Sequence, residues 1–321
     1  MKKNILVLAH NIRAEANPNG YRIQQYFPYF QERGFEVTYL TDGSGVGPLI
    51  RALRAADVVY VQRLLPGPMT QYLLRIFAGR MVFDFDDAIM YGARRESSTR
   101  RRRFRGMVRL SNAVFCGNHF LLREAQRYGT SNLFYVPTVV DTSDYPVKNH
   151  TAGGPFVVGW MGSASTLRYL TDMEPFFASA PAGITYRIVA DRRPDIAGAQ
   201  ITFEKWRGEK EKSLLLSFDV GTMPVRDDIW SRGKCGLKLI QYAAAGLPSI
   251  THPVGVSREI VEEGETGFLR QDIEGWREAV DRLRGDLDLR RSMGVKARAL
   301  AEERYSLAKW GPRVASMIDS L

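Results

Sequence analysis

Cysteine is nearly missing from this 321-residue chain: Cys116 and Cys235 are the two present. So far apart, they cannot form the disulfide framework of a small secreted domain, and their scarcity suits a reducing cytoplasm. The four histidines, His10, His119, His150 and His252, stand at no metal-ligand spacing. No apolar run approaches the length of a membrane-spanning helix. Met1, Lys2 and Lys3 precede an apolar run that already ends at His10 and Asn11. That run is too short for a signal peptide core and reads as a first buried strand. The turn after it, Ala9-His10-Asn11-Ile12-Arg13-Ala14, lacks the Gly-x-Gly-x-x-Gly of dinucleotide-dependent oxidoreductases and excludes that class. Short-period repeats are also missing.

Positive charge is plentiful but unevenly spread. Of the formal net charge of +10, residues 1–150 carry +9, with 21 Lys+Arg against 12 Asp+Glu, and residues 151–321 carry +1. Much of the excess lies in Arg94, Arg95, Arg100, Arg101, Arg102, Arg103 and Arg105. Such a cluster suits an anionic membrane surface, a nucleic acid or an anionic acceptor; a solvated loop and helix face is the plain alternative. Nucleic acid is disfavoured, because the cluster is local and has neither a recognition motif nor an aromatic platform beside it.

Length allows two domains of about 150 residues each. In the first half, apolar runs at 4–9, 35–41, 57–61, 80–84, 113–116 and 133–136 are short and rich in Val, Ile and Phe, as in buried parallel strands. Helical patterns lie between them, such as 20–33 before Gly34 and 118–128 before Gly129. A polar linker over 142–155 precedes a second alternation, with strands at 156–160, 184–189, 200–204, 217–221, 248–251 and 267–269. Three helices, about 272–285, 287–303 and 306–320, close the chain. The pattern is α/β and doubly wound.

The most concentrated chemistry lies in 231–269. Lys234, Lys238 and Gln241 are spaced four and three apart, so a helix would carry them on one face. Ala243, Ala244, Ala245 and Gly246 allow close packing, with Gly246 at the C-cap. A helix opening with fixed cations and free N–H groups suits a diphosphate; an ordinary surface helix with solvated lysines fits the spacing as well. Gly159-Trp160-Met161-Gly162-Ser163 ends a strand and opens a helix, so Gly162, Ser163 and their amides can meet a phosphate, or the glycines serve a tight turn alone.

These residues resemble the donor-binding signature of retaining glycosyltransferases of family 4. The likeness rests on Gly233, Lys234, Lys238, Leu239, Gln241, Tyr242, Ala244, Gly246 and Pro248, followed by Gly255, Glu259, Ile260, Val261, Gly264, Gly267 and Leu269. It implies the GT-B fold: two facing Rossmann-like doubly wound domains with a cleft between them. The expected division is an acceptor-side domain over 1–145 and a nucleotide-sugar donor domain over 155–304. Residues 305–321 would pack back on the first domain, with Tyr305 and Trp310 as aromatic anchors. The family's two glutamates, eight residues apart, are replaced here by Gly233 and Gln241. Gln241 would meet ribose hydroxyls through its amide oxygen. The resemblance also puts Trp206 near the base, Gly255 and Glu259 near phosphates or sugar, and Arg232, Lys234 and Lys238 on the departing diphosphate. Trp206 as a core residue and Ser257 as a helix cap over Gly255 are the plain alternatives.

On the acceptor side stand Asp84, Asp86 and Asp87 at the end of a strand. An Asp-x-Asp pair can hold a divalent metal. Because the GT-B resemblance implies no metal, the expectation is instead that Asp87 assists proton removal and Asp84 and Asp86 bind acceptor hydroxyls; an aspartate run serving only turn and N-cap chemistry is the plain alternative. Asn19-Gly20 resembles the family's glycine loop, and His119 follows a strand. The function implied is transfer of a sugar from a nucleotide diphosphate sugar to an acceptor hydroxyl, with retention, in surface polysaccharide, glycolipid or glycoconjugate synthesis. A catalytically silent nucleotide-sugar binder and an epimerase of the same fold are the alternatives. No cofactor is expected; the partners are a nucleotide sugar, a sugar or lipid-linked acceptor, and an anionic membrane surface for Arg100–Arg103. Location would be cytoplasmic, at the inner face of the membrane.

Overall fold

Short runs rich in β-branched and aromatic residues form the strands, and the computed structural model places them in two parallel sheets. It describes residues 3–10, 20–41, 43–92, 97–129, 132–178, 181–196 and 201–321. Asn19, Arg94, Arg95 and residues 11–14 lie outside these.

The first sheet contains β1 (Lys3–Ala9), β2 (Phe35–Thr41), β3 (Val58–Gln62), β4 (Arg80–Phe85), β5 (Ala113–Cys116) and β6 (Leu133–Tyr135). Its helices are α1 (Phe27–Glu32), α2 (Val46–Ala55), α3 (Pro68–Phe77), α4 (Ser98–Leu110) and α5 (His119–Gln126). The strand order β2-β1-β3-β4-β5-β6 reverses direction between β1 and β3. In open α/β sheets such a reversal opens a crevice beyond the carboxyl ends of the strands.

The second sheet contains β7 (Phe156–Gly162), β8 (Ile184–Ala190), β9 (Ile201–Lys205), β10 (Val220–Met223), β11 (Ser249–Thr251) and β12 (Gly267–Leu269). Between them run α6 (Arg168–Thr171), α7 (Glu174–Phe177), α8 (Glu211–Leu215), α9 (Ile229–Arg232), α10 (Leu237–Ala244) and α11 (Ser257–Ile260). The chain ends in α12 (Ile273–Gly285), α13 (Leu287–Arg304) and α14 (Leu307–Asp319). The order β12-β11-β10-β7-β8-β9 reverses between β7 and β10.

The chain divides into two compact units. The first is Met1–Val139 with Asp228–Cys235 and Leu307–Leu321; the second is Val140–Asp227 with Gly236–Ser306. The cationic segment is therefore shared out: Arg232 and Lys234 group with the first unit, Lys238 and Gln241 with the second. Strand alternation sorts each sheet's side chains onto two faces. On one face of the first sheet, Leu6, Val59, Val61 and Phe83 pack with Leu74, Phe104 and Val108. On the other, Ile5, Val7, Val58 and Tyr60 pack with Phe30 and with Trp310, Val314 and Ile318 of α14. The second unit's core joins Val158, Trp160, Tyr186 and Ile188 to Phe176, Trp276 and Leu283.

The expected helix over 20–33 is broken. A 3-10 turn at Gln24–Tyr26 precedes α1, whose first turn contains Pro28. Proline has no N–H, and its ring crowds the carbonyl four residues earlier, so it is favoured in a helix's first turn, where α1 places it, over the middle of a longer helix.

Candidate functional site

In the first unit the three aspartates after β4 separate by depth. Asp84 is fully buried and takes a bidentate bond from Arg22, with Nε 3.0 Å from each oxygen and Nη2 2.5 Å from Oδ1. Arg22 Nη1 also donates to the Val136 carbonyl at 2.6 Å. Burial pushes the Asp84 carboxyl up against the opposing pull of Arg22. Expected on acceptor hydroxyls, Asp84 instead neutralises an interior cation. The alternating side chains of β4 explain this, since Asp84 shares the buried face with Val82.

Asp86 and Asp87 lie just past the strand and are half-buried. Arg63 serves both: its Nε is 3.2 Å from Asp86 Oδ1, and its Nη2 bonds Asp87 Oδ2. Arg63 adopts φ +54°, alone among non-glycine residues in the described chain. That left-handed conformation is uncommon for a residue with a Cβ, and here the Arg63 N–H donates to the Asp84 carbonyl at 2.8 Å. The Asp87 carboxyl is pushed up to about 6, chiefly by burial and also by Asp86; Arg63 and Lys234 pull against this. A carboxylate titrating there can accept a proton near neutral pH.

Lys234 reaches this group because 228–235 is docked onto the ends of β4 and β5. Asp228 caps α9 through the Ser231 N–H at 2.7 Å. Asn118 then clasps the segment, its Nδ2 donating to Lys234 O at 2.9 Å and Arg232 O at 3.3 Å. Its Oδ1 simultaneously caps α5 at Leu121 N, 2.8 Å away. A Cβ on Gly233 would sit 2.5 Å from the Ala88 Cβ, and one on Gly117 would sit 2.4 Å from Cys235 Sγ. Gly233, where the family resemblance implies a glutamate, thus has no room for any side chain. Arg232 is exposed and Lys234 half-buried. Burial pushes the Cys235 thiol well up, so it is no thiolate nucleophile.

Gly20 is half-buried, with its carbonyl 3.3 Å from Gln25 N. His119 is exposed and stacks on Tyr135 at 4.4 Å between ring centroids. Arg100, Arg101 and Arg102 are exposed on α4, and Arg103 is half-buried.

In the second unit the sheet reversal lies between β7, ending at Gly162, and β10. Lys238 comes to this point: its Nζ is 5.3 Å from the centre of the Trp160 ring. A Cβ on Gly162 would be 2.5 Å from Lys238 Cε. Glycine is therefore what lets the lysine stem lie along the strand end. The structure thus brings Gly162 and Lys238, two residues expected at the donor side, together. Ser163 is exposed, with its hydroxyl 2.8 Å from Ser165 Oγ. The helix expected after it is only a 3-10 turn, Ala164–Thr166, and the four-residue α6.

Lys234 is not on the helix of Lys238 and Gln241. Gly236 adopts φ +69°, and α10 starts after it, so the four-residue spacing carries no helical phase across the break. The C-terminus does follow expectation. Gly246 has φ +68°, and Leu247 N bonds Tyr242 O at 2.9 Å in a Schellman ending. Gln241 is buried, and its amide nitrogen donates to Glu211 Oε1 at 2.6 Å and Tyr145 Oη at 3.2 Å. Trp206 Nε1 donates to the other oxygen of Glu211 at 2.8 Å. Gln241, expected against ribose, thus belongs with Trp206 to an interior network around one carboxylate. A glutamate at 241 would set two carboxylates against each other, which accounts for the amide.

Gly255 has φ +55°, a turn position suited to glycine, ahead of the single-turn α11. Glu259 is half-buried on α11. Ser257 does not cap that helix; it is buried, with its hydroxyl 3.3 Å from Thr251 Oγ1. A cavity of about 550 Å³ near the ends of β10, β11 and β12 is lined by Asp172, Arg226, His252 and Arg258, and by none of the candidate site residues expected from the sequence.

Arg63, Asn118, Glu211 and Tyr145 were not visible as site residues in the sequence. Each is an isolated side chain that makes at least one bond to a distant segment. No group of three or more metal-binding side chains occurs among the described residues, and no described helix is long and apolar enough to cross a membrane.

Residues 156–286, less than half of the chain, match the family model described as glycosyl transferases group 1. No curated protein matches the sequence. Among solved structures, HepE from Anabaena, seen with UDP and glucose, superposes with a TM-score of 0.77 at 14% identity, covering 99% of this chain and 100% of that one. A glycosyltransferase from Rickettsia africae gives 0.76 at 12%, covering 99% and 98%. Sucrose-phosphate synthase from Thermosynechococcus elongatus gives 0.75 at 13%, again covering 99% and 98%. The fold is GT-B. Together, the group 1 match and this fold support a glycosyltransferase.

Proposed function

We propose that this protein is a retaining glycosyltransferase of family 4 that moves a sugar from a nucleotide diphosphate sugar to an acceptor hydroxyl. The observation that carries the proposal is the meeting of Lys238 with Gly162 at the sheet reversal of the second unit, where α/β sheets bind ligands. A further support is that HepE, of the same fold, is seen with UDP-glucose.

On this reading Lys238, with Arg232 and Lys234, offsets charge developing on the departing diphosphate. The side chain of Asp87 receives the acceptor proton, helped by a pKa of about 6. No protein nucleophile and no metal is invoked. Work at the cytoplasmic face of a membrane, on surface polysaccharide or glycolipid, suits the basic first half.

The test is to follow nucleoside diphosphate release from UDP-, GDP-, ADP- and dTDP-sugars, with NMR of the anomer first formed. Release of one nucleotide with the donor's α or β configuration kept is the expected result. Inverted product would reject retention. Binding without release would favour the silent binder, which the loss of a side chain at Gly233 makes the specific rival.

A further inference from the structure

Within the first unit a second crevice opens beyond the carboxyl ends of β1, β2 and β3, at that sheet's reversal. Its volume is about 630 Å³, enough for a small ligand or the head of a larger one. One wall is apolar, built mainly from Leu40, Val46, Leu49, Leu64, Met69 and Leu73. Among the described residues, the charged side chains that line it are Arg63, Arg100 and Arg103, and no described carboxylate does.

The three arginines differ. Arg63 is already matched to Asp86 and Asp87. Arg100 and Arg103 donate only to the carbonyls of Ile89 and Leu65, at 2.9 and 3.4 Å. Arg103 Nε is shielded from solvent and has no hydrogen-bond partner. An orphaned guanidinium nitrogen is unfavourable unless a ligand or water completes it. Arg100 also sits where a helix resists a cation: it lies in the first turn of α4, which holds no acid, close to the positive end of the helix dipole.

Val46 and Met69 line the crevice and are nevertheless 56% and 66% exposed, so its lining is apolar out to solvent. An apolar wall that reaches solvent, and two arginines with no carboxylate partner among the described residues, together match a ligand with an acidic head and a greasy tail.

We infer that this crevice binds a phosphate-bearing amphiphile. Arg100 and Arg103 hold the phosphate, and the chain lies along Leu49, Met69 and Leu73 toward the rim. Its identification as the acceptor rests on the glycosyl-transfer reading above; the binding itself does not. The notion of four equivalent arginines is thereby sharpened, since Arg101 and Arg102 do not line the crevice.

The test is calorimetric titration of the full chain with n-decyl phosphate below its micelle concentration, beside decyl maltoside and inorganic phosphate. The expected order is decyl phosphate tightest, with both comparators weaker by about tenfold or more. The double variant R100Q/R103Q should lose about tenfold or more, whereas R105Q/R109Q, on the same helix with the same charge change, should keep the affinity. Met69→Glu, at an exposed position that does not endanger folding, should weaken decyl phosphate by adding a carboxylate at the mouth. Unchanged binding in both R100Q/R103Q and M69E, or an equal loss in R105Q/R109Q, would overturn the inference. Nucleotide release from a donor sugar without decyl phosphate binding would remove the crevice and leave glycosyl transfer standing; binding without release would do the reverse.

Discussion

The carboxyl ends of the two sheets are built on one plan and filled with opposite chemistry. Beyond β4 the first unit gathers Asp84, Asp86 and Asp87 around Arg22 and Arg63, ion pairs graded from fully buried to half-buried. Beyond β7 the second unit offers a lysine stem laid along a bare glycine, with its own carboxylate, Glu211, consumed inside by Gln241 and Trp206. The same backbone architecture thus carries paired carboxylates at one end and a lysine at the other, which the proposal reads as proton acceptor and diphosphate partner. Charge placement, rather than fold, distinguishes them.

The sharpest break in this contrast would come from Asp84→Ala. Removing one member of a buried pair leaves Arg22 uncompensated, and a loss of about 3–5 kcal/mol is expected in urea unfolding. Lys238→Ala should do the opposite. Its melting temperature should stay within about 2 °C of the parent, while turnover with a nucleotide sugar should fall about 10²-fold or more. If both variants lost stability equally, the division into a structural and a functional ion would fail.

Gln241→Glu would import the first unit's chemistry into the second. Two carboxylates sharing one buried site cannot both ionise readily, so at least one titrates high. A raised carboxyl pKa in the folded state means that stability declines as pH rises through the window above the unfolded value. The variant should therefore lose about 1–3 kcal/mol at pH 8 and recover much of it at pH 5. Equal destabilisation at both values would show that packing, not charge, selects the amide.

Asp87 gives a finer test. With a folded pKa of about 6, its ionised form is depleted as pH falls below that value, so kcat/KM should drop on the acid side with an apparent pKa near 6. In Asp87→Asn the remaining activity should lose that limb. Stability carries the reverse sign. Between its unfolded value of roughly 4 and about 6 the folded group binds more protons, so its contribution falls as pH rises. Unfolding free energies across that range should slope less steeply downward in the variant.

Much of the fold was legible because buried parallel strands need unbroken β-branched and aromatic runs. The runs at 35–41 and 113–116 coincide with β2 and β5, and 267–269 with β12. The misreadings arose where one residue overrides a pattern. Gly236 breaks the phase between Lys234 and Lys238, and Pro28 interrupts the helix after Gly20. The site was harder. Arg22 lies 62 residues before Asp84, and Glu211 lies 30 before Gln241. No spacing rule connects such partners, because their meeting is decided by strand order and by a loop's return. Asp87 was legible by its place after a strand, but its perturbed proton affinity needed Arg63, Asp86 and a degree of burial that sequence does not encode locally.

The most direct measurement is the thermal shift of the parent protein with UDP, GDP, ADP and dTDP, beside Lys238→Ala. Stabilisation by one of these nucleotides, lost in the variant whose own melting temperature is unchanged, is the expected result. No shift with any nucleotide, or a shift that Lys238→Ala retains in full, would contradict a diphosphate site at the β7 end of the second unit.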